Sequence, residues 1–444
     1  PQYSCPCCQK VFSGEMPAHI LPKSAVEPSV IAQVIINKYG DQFAQEQEQK
    51  LISALADTRE HPSPDGETRS RDNYQRDYAR ILYSSSFRRL QGKMQLFEID
   101  PEKFNRNRLT HSLEVAQIAR SIASDLKLVN PVVVELAALA HDIGNPPFGH
   151  SGEKLLNELS EEIGGYEGNA QALRILRKLE KKFSYCNGLN LTHRSLLSVV
   201  KYPAPRTATT AGKFIYDDDF DFYTNLLAEN QLDLNPGEKT IDAQIMDLAD
   251  EIAYAAHDLE DALSRNMVTI EDIEYEFQIS DEFRGAKEQF REIVTQSRNT
   301  AFQANLLKTS EEFAIIFRKE LTSNIVNRLV EDISVVTNLN GFQELGFGKL
   351  NALSEGLKKL LFKVIMRKRN ILTYEFRGNK IIRDLYNFYN EGENYKFLPP
   401  ELKFTLPQPD SCIFEISKKR AVVDYISGMM DTFAVKEWET HCLK

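Results

Sequence analysis

The stretch Pro131-Val132-Val133-Val134-Glu135-Leu136-Ala137-Ala138-Leu139-Ala140-His141-Asp142-Ile143-Gly144-Asn145-Pro146-Pro147-Phe148-Gly149-His150-Ser151-Gly152-Glu153 decides how the chain is read. Its first part is almost wholly apolar and opens on a proline, which suits a first helical position. The Asn145-Pro146-Pro147 break that follows Ile143-Gly144 stops a helix, because proline offers no amide donor and restricts the residue before it. The spacing therefore predicts a buried helix from about Pro131, with His141-Asp142 at its very end. Consecutive side chains stand about 100° apart on a helix. At a helix end beside a cleft, both can turn towards one ion.

Working upstream, Leu113, Ala116, Ala119, Ile122, Ala123 and Leu126 recur at spacings of three and four, which predicts a helix over 112–126 with His111 near its start. Downstream, a third helix from about Ala243 to Leu263 carries Asp250 among Ile245, Leu248, Ala249, Ile252 and Ala253. A carboxylate on so apolar a segment needs a partner. The remainder is mostly helical in pattern, and the fold class is mainly all-α. Ala421 to Tyr425, with β-branched Val422 and Val423, is a candidate short strand. Three regions follow. Residues 1–70 are an N-terminal extension and linker, turn-rich at His61-Pro62-Ser63-Pro64-Asp65-Gly66. Residues 71–265 hold the polar clusters that look chemical. Residues 266–444 form a helical C-terminal region packing on that core.

The chain of 444 residues is 42% hydrophobic, ample for a large core, and its net charge of -10 argues against a general nucleic-acid coat protein. An anionic substrate would need a local basic patch. No run of about 18 apolar residues predicts a membrane span, and the N-terminus does not read as a signal peptide. Six cysteines are too sparse for a disulfide scaffold. The expectation is a soluble, reduced, cytoplasmic protein. Tyr3, Cys5, Cys8 and Phe12 resemble the first half of a zinc finger, with Cys7 between them, but only His19 follows where a second ligand pair would stand.

The chain has eight histidines, two of them in the dipeptides His141-Asp142 and His257-Asp258. Either pair alone could be a hydrogen-bonded structural feature. Together, His111, His141, Asp142 and Asp250 offer two imidazoles and two carboxylates, a set suited to a borderline divalent ion such as Mn²⁺, Fe²⁺, Zn²⁺ or Ni²⁺. Such an ion can polarise a phosphoryl oxygen and acidify water. His150, brought back by the Pro-Pro turn, titrates near neutrality and can move a proton. Glu153, three residues on, can orient its ring if a helix restarts there.

These residues, in the order His111, His141-Asp142, Asp250, resemble the H…HD…D signature of the HD-domain superfamily. The flanking text is sharper. Phe87-Arg88-Arg89-Leu90-Gln91-Gly92-Lys93-Met94-Gln95, Asn107-Arg108-Leu109-Thr110-His111-Ser112, the 141–153 stretch, Glu167-Gly168-Asn169-Ala170-Gln171 and Ala249-Asp250-Glu251-Ile252-Ala253-Tyr254 resemble the deoxyguanosinetriphosphate triphosphohydrolase family. The likeness is strong over 71–265 and returns at Asp424-Tyr425-Ile426-Ser427-Gly428-Met429. It implies hydrolysis of deoxynucleoside triphosphates (dNTPs) to deoxynucleoside and inorganic triphosphate, with a divalent metal, Mn²⁺ first and Mg²⁺, Fe²⁺, Zn²⁺ or Ni²⁺ behind. It implies metal binding by His111, His141, Asp142 and Asp250, and catalysis by His150 with Glu153. It places Arg108 on phosphate, Tyr254 against the sugar, Asp258 on the 3′-hydroxyl, Gln91 on sugar or base, and Lys201 and Lys213 on the triphosphate. dGTP should then be preferred to GTP. A homo-oligomer, a hexamer by resemblance, and a single-stranded-DNA or dNTP effector are also implied. Met429-Met430-Asp431-Thr432-Phe433 departs from the usual Met-Thr-Asp-Arg-Tyr, so an Arg role there is lost or moved. Two alternatives stay open: another HD phosphohydrolase (a nucleotidase or phosphodiesterase), and a nucleotide-sensing or single-stranded-DNA-binding module.

Overall fold

The computed structural model describes residues 2–4, 11–13, 28–62, 71–96, 106–207, 212–304 and 306–443. Among them the helices are α1 (Pro28–Leu55), α2 (Asn73–Leu82), α3 (Ser85–Arg89), α4 (Arg108–Asp125), α5 (Pro131–Ala140), α6 (Gly149–Leu159), α7 (Gly168–Arg174), α8 (His193–Leu197), α9 (Asp217–Glu229) and α10 (Ile241–Ala253). They continue as α11 (Leu259–Ser264), α12 (Ile270–Ile279), α13 (Lys287–Phe302), α14 (Ser310–Glu331), α15 (Asn351–Ile365), α16 (Arg369–Asn390), α17 (Pro400–Lys403), α18 (Phe414–Ser427) and α19 (Asp431–His441). Among the described residues, strand structure is confined to two antiparallel pairs, β1 (Gln2–Ser4) with β2 (Val11–Ser13) and β3 (Ile333–Thr337) with β4 (Gln343–Phe347). The all-α reading holds.

The chain divides into Pro1–Tyr39 and Gly40–Lys444. In the first unit, Cys5, Cys7, Cys8 and His19 lie outside the described residues, as do 63–70 of the linker further on. The second unit carries everything that follows.

Its centre is the packing of α4, α5 and α10. Helix α5 starts on Pro131 and buries Val133, Val134 and Leu136 to Ala140, as a helix apolar all round must. Helix α4 begins earlier than its apolar spacing suggests, at Arg108. Asn107 caps it, accepting from Thr110 N while the Thr110 hydroxyl accepts from Asn107 N, so two amides of the chain's entry are satisfied. Helix α10 is fastened by Arg194, whose buried guanidinium reaches Asp242 at 2.8 Å and Glu48 of α1 at 2.9 Å. Removing one partner of such a buried group costs about 3–5 kcal/mol.

The structure refines the sequence reading in one place and corrects it in another. The helix expected over 243–263 is present but not uniform: α10 runs to Ala253, a π turn spans Tyr254–Asp258, and α11 continues from Leu259. Such wide turns are frequent at functional sites. Ala421 to Tyr425 is not a strand but part of α18, where Val422 and Val423 are buried. Packing against α16 overrides their local β preference.

That α16/α18/α19 layer makes a second core with Phe148, Leu155 and Leu156 from the His150 loop and α6. A glycine permits the close fit, since a Cβ on Gly378 of α16 would sit 2.5 Å from Phe148 Cγ; likewise a Cβ on Gly144 would strike the Gly168 carbonyl of α7. No helix among the described residues is long and apolar enough to cross a membrane.

Candidate active site

The ends of three helices deliver the His/Asp cluster. His111 projects from the first turn of α4, His141 and Asp142 from the end of α5, and Asp250 from the last turn of α10. His111 Nε2 lies 3.2 Å, and His141 Nε2 3.4 Å, from the same oxygen, Asp250 Oδ1; His141 Nε2 is 3.5 Å from Asp142 Oδ1. Donor atoms of His111, His141 and Asp142 all lie within 4.8 Å of one another. His141 Nδ1 faces the Ala138 carbonyl at 2.6 Å, an acceptor only, so Nδ1 carries the hydrogen. Nε2 is left buried without a hydrogen-bond partner, aimed at the carboxylates. All four residues are buried. A nitrogen held in this tautomer beside the Asp142 and Asp250 carboxylates, with His111 completing the cluster, is a donor set that fits a divalent cation.

The electrostatics agree. Burial alone would lower the His141 pKa, yet Asp142 and Asp250 raise it to about 9. Burial pushes Asp250 upwards, but Lys201 and the two imidazoles outweigh it and hold the carboxyl well below its usual range. The centre favours positive charge.

Beside the cluster opens a cavity of about 430 Å³, within the range of small-molecule sites. Gln95, Arg108, His150, Tyr254, Asp258 and Lys358 are among the residues lining it. His150 stands on the first turn of α6, its side chain 71% exposed, with Nδ1 3.2 Å from Glu153 Oε2. Glu153 Oε1 in turn accepts from Gly168 N at 3.0 Å. The helical restart after Pro147 thus puts Glu153 where it can orient His150. The hydrogen bond to Glu153 is the largest cause raising the His150 pKa, with burial opposing it.

The candidate substrate contacts divide. Asp258 is 5% exposed, its Oδ1 is buried without a partner, and burial pushes its carboxyl well above the usual range. Tyr254 packs its ring 5.2 Å from that of His111. Arg108 donates to Asp142 Oδ2 at 2.7 Å while its Nε has no partner. Lys201 lies in the wall, but its ammonium is held 2.6 Å from Asp247 and 3.0 Å from Asp250. Lys213 is 2.9 Å from Glu167. Gln91 is not brought to the cavity; it is exposed on the turn Leu90–Gly92. Gln95 is there instead, with a buried and unpartnered Oε1. Sequence reasoning missed Gln95, Lys358 and Lys359. A polar residue between Met94 and Leu96 was the available signal for the first; the lysines of α15 carried none. A larger cavity of about 620 Å³ lies elsewhere, but Arg174 and Lys178 in its wall are already paired with Asp424 and Asp218.

A buried His/Asp cluster at the ends of three packed helices defines the HD-domain class, and residues 108–255 match the HD domain family; residues 349–440 match the phosphohydrolase-associated domain. The chain is 52% identical over 403 residues to the deoxyguanosinetriphosphate triphosphohydrolase-like protein 2 of Vibrio cholerae serotype O1, covering 90% of this chain and 95% of that one. It is 34% identical to the deoxyguanosinetriphosphate triphosphohydrolase-like proteins of Rickettsia peacockii, over 84% of this chain and 92% of the relative, and of Shewanella sediminis, over 82% and 91%. The chain belongs to the deoxyguanosinetriphosphate triphosphohydrolase-like family of HD-domain proteins. In class it is a metal-dependent phosphohydrolase.

Proposed function

We propose that this protein hydrolyses dNTPs to deoxynucleoside and inorganic triphosphate. The observation that carries the reading is Asp258 Oδ1, a buried acceptor without a partner in the same cavity as the His/Asp cluster. A sugar hydroxyl is a donor that would satisfy it, and a buried acceptor left unmet costs about 1–3 kcal/mol. Gln95 Oε1 offers a second unmet acceptor in that cavity for a sugar or base donor.

His111, His141, Asp142 and Asp250 would hold the divalent cation, for which Mn²⁺ is our expectation. Bound there, it would supply charge stabilisation at the phosphoryl group and a more acidic water. The rest falls to the chain. Water oxygen adds to the α-phosphorus and the bond from phosphorus to the 5′-oxygen breaks. His150, its imidazolium favoured by Glu153, gives its proton to the departing 5′-oxygen; one proton of the water then restores His150 and the other leaves with the triphosphate. Arg108 and Lys358 bring positive charge to the triphosphate, offsetting the repulsion expected from a chain of net charge -10. Tyr254 packs beside the sugar and leaves little room for a 2′-hydroxyl.

The test is a panel of the four dNTPs and GTP with Mn²⁺, products separated by chromatography. Triphosphate and deoxynucleoside as paired products, with dGTP far ahead of GTP, are expected. Orthophosphate or pyrophosphate as product, or equal rates for dGTP and GTP, would sink the assignment.

A further inference from the structure

The segment bearing Gln95, the loop bearing His150 and the C-terminal helices meet at one buried carboxylate. Asp431 opens α19 and is 5% exposed. Its Oδ1 accepts from Phe148 N at 3.0 Å; its Oδ2 accepts from Met94 N at 2.9 Å and from the Tyr374 hydroxyl at 3.1 Å. An Asp in a first helical turn ordinarily serves its own helix's free amides. Here α19 has no side-chain cap bond, and both carboxylate oxygens leave the helix to serve other segments.

The two amides need this acceptor. Phe148 precedes α6 with φ 62°, a left-handed conformation that costs a non-glycine residue energy. Met94 follows the short turn Leu90–Gly92. Both residues are buried, and neither amide lies inside a regular helix. A buried amide without an acceptor is expensive. Each also neighbours a working residue: Met94 adjoins Gln95, and Phe148 stands two positions before His150. A second tie runs alongside, since buried Lys93 donates to the Asn145 carbonyl and, at 2.7 Å, to the Ser427 carbonyl.

We propose that Asp431 is a positioning residue that, by accepting both amides, sets the spacing between the Gln95 wall and the His150 loop. Its consequence for turnover rests on the dNTP reading above; the fastening itself does not. Asp431→Asn keeps the shape but turns one oxygen into a donor, so it cannot accept both amides as before. With the full-length protein, hydrogen exchange of segments 92–96 and 147–150 should quicken about tenfold, the worth of one lost hydrogen bond. Helices α4, α5 and α10 should keep their protection and Mn²⁺ content should be unchanged. kcat should fall about 10- to 100-fold, the scale of a small misplacement of reacting groups. Unchanged exchange in either segment overturns the proposal, and so does faster exchange with unchanged kcat. Should Asp431→Asn fail to fold, Tyr374→Phe decides. It takes the Tyr374 hydroxyl from the carboxylate, and faster exchange in both segments with a few-fold loss of kcat supports the proposal, while no change in either overturns it. Should the native protein hydrolyse no dNTP, the functional reading fails and the exchange arm alone judges the fastening.

Discussion

His141-Asp142 and His257-Asp258 are one dipeptide in two settings. At the first, helix α5 ends, and both side chains turn to a common centre where His141 Nε2 lies 3.5 Å from Asp142 Oδ1. At the second, the chain stays helical through a π turn and the two side chains part. Asp258 faces the cavity, whereas His257 Nδ1 turns to Glu114 Oε2 of α4 at 3.2 Å. The chemistry of a His-Asp pair is thus set by whether its helix stops or continues. On the proposed reading both residues of the first pair would hold the cation, whereas in the second only the Asp would meet the ligand.

Exchanging the histidines for alanine tests that contrast most severely. His141→Ala should lose bound Mn²⁺ by elemental analysis and more than about 10⁴-fold in turnover, since the cation's stabilisation is worth several kcal/mol. His257→Ala should keep its metal and lose no more than about threefold, as expected of a partly exposed ion pair. Equal losses from the two would erase the distinction. His150→Ala comes next. It should retain metal and KM yet drop kcat by about 10²- to 10⁴-fold, the usual share of a general acid; near-native kcat would remove it from the mechanism.

Asp258→Asn should separate function from stability. Burial holds the folded pKa of Asp258 above its unfolded value, so the ionised form costs stability that grows as pH rises past the unfolded pKa. The amide removes that cost, and Tm at pH 7.5 should hold or rise. KM for dGTP should increase about 5- to 150-fold, the worth of a mismatched buried hydrogen bond. A lower Tm with unchanged KM would make Asp258 structural. The smallest effect concerns Glu153→Gln. The Glu153 hydrogen bond raises the His150 pKa, so the variant lowers it. An acid loses activity as pH rises through its pKa, and the descending limb of the kcat profile should therefore move to lower pH. The stability from this pair, present below the unfolded pKa and lost as pH rises through the folded one, should vanish too. An unmoved profile would show that Glu153 does not tune His150.

Much of this was legible in sequence because the relevant forces are local. Proline at 131, the Pro146-Pro147 break and the spacings of α4 fixed the helices that carry His111, His141 and Asp142, and Glu153 fell three residues beyond His150 on a restarted helix. What escaped depended on distant partners. Val422 and Val423 read as strand because only packing against α16 makes them helical. Lys201 reads as a triphosphate contact, and the structure adds what the sequence did not show, its pairing with Asp247 and Asp250. Those two carboxylates, one turn apart on an apolar helix, called for a cation that no local pattern could name. Gln91 and Gln95 are four residues apart, and only the turn between them decides which one enters the cavity.

Phe148 also governs how this chain could be divided. Its ring lies over Gly378 and its amide is held by Asp431, both far along in the C-terminal region. A fragment ending near residue 265 would retain His111, His141, Asp142, His150, Asp250 and Asp258. Yet it would strip the cover from that ring and leave a left-handed residue with nothing to hold it. Sequence motifs alone would recommend that cut as a minimal unit; the packing makes it a poor one, because residues more than 200 positions further along hold the loop that carries His150.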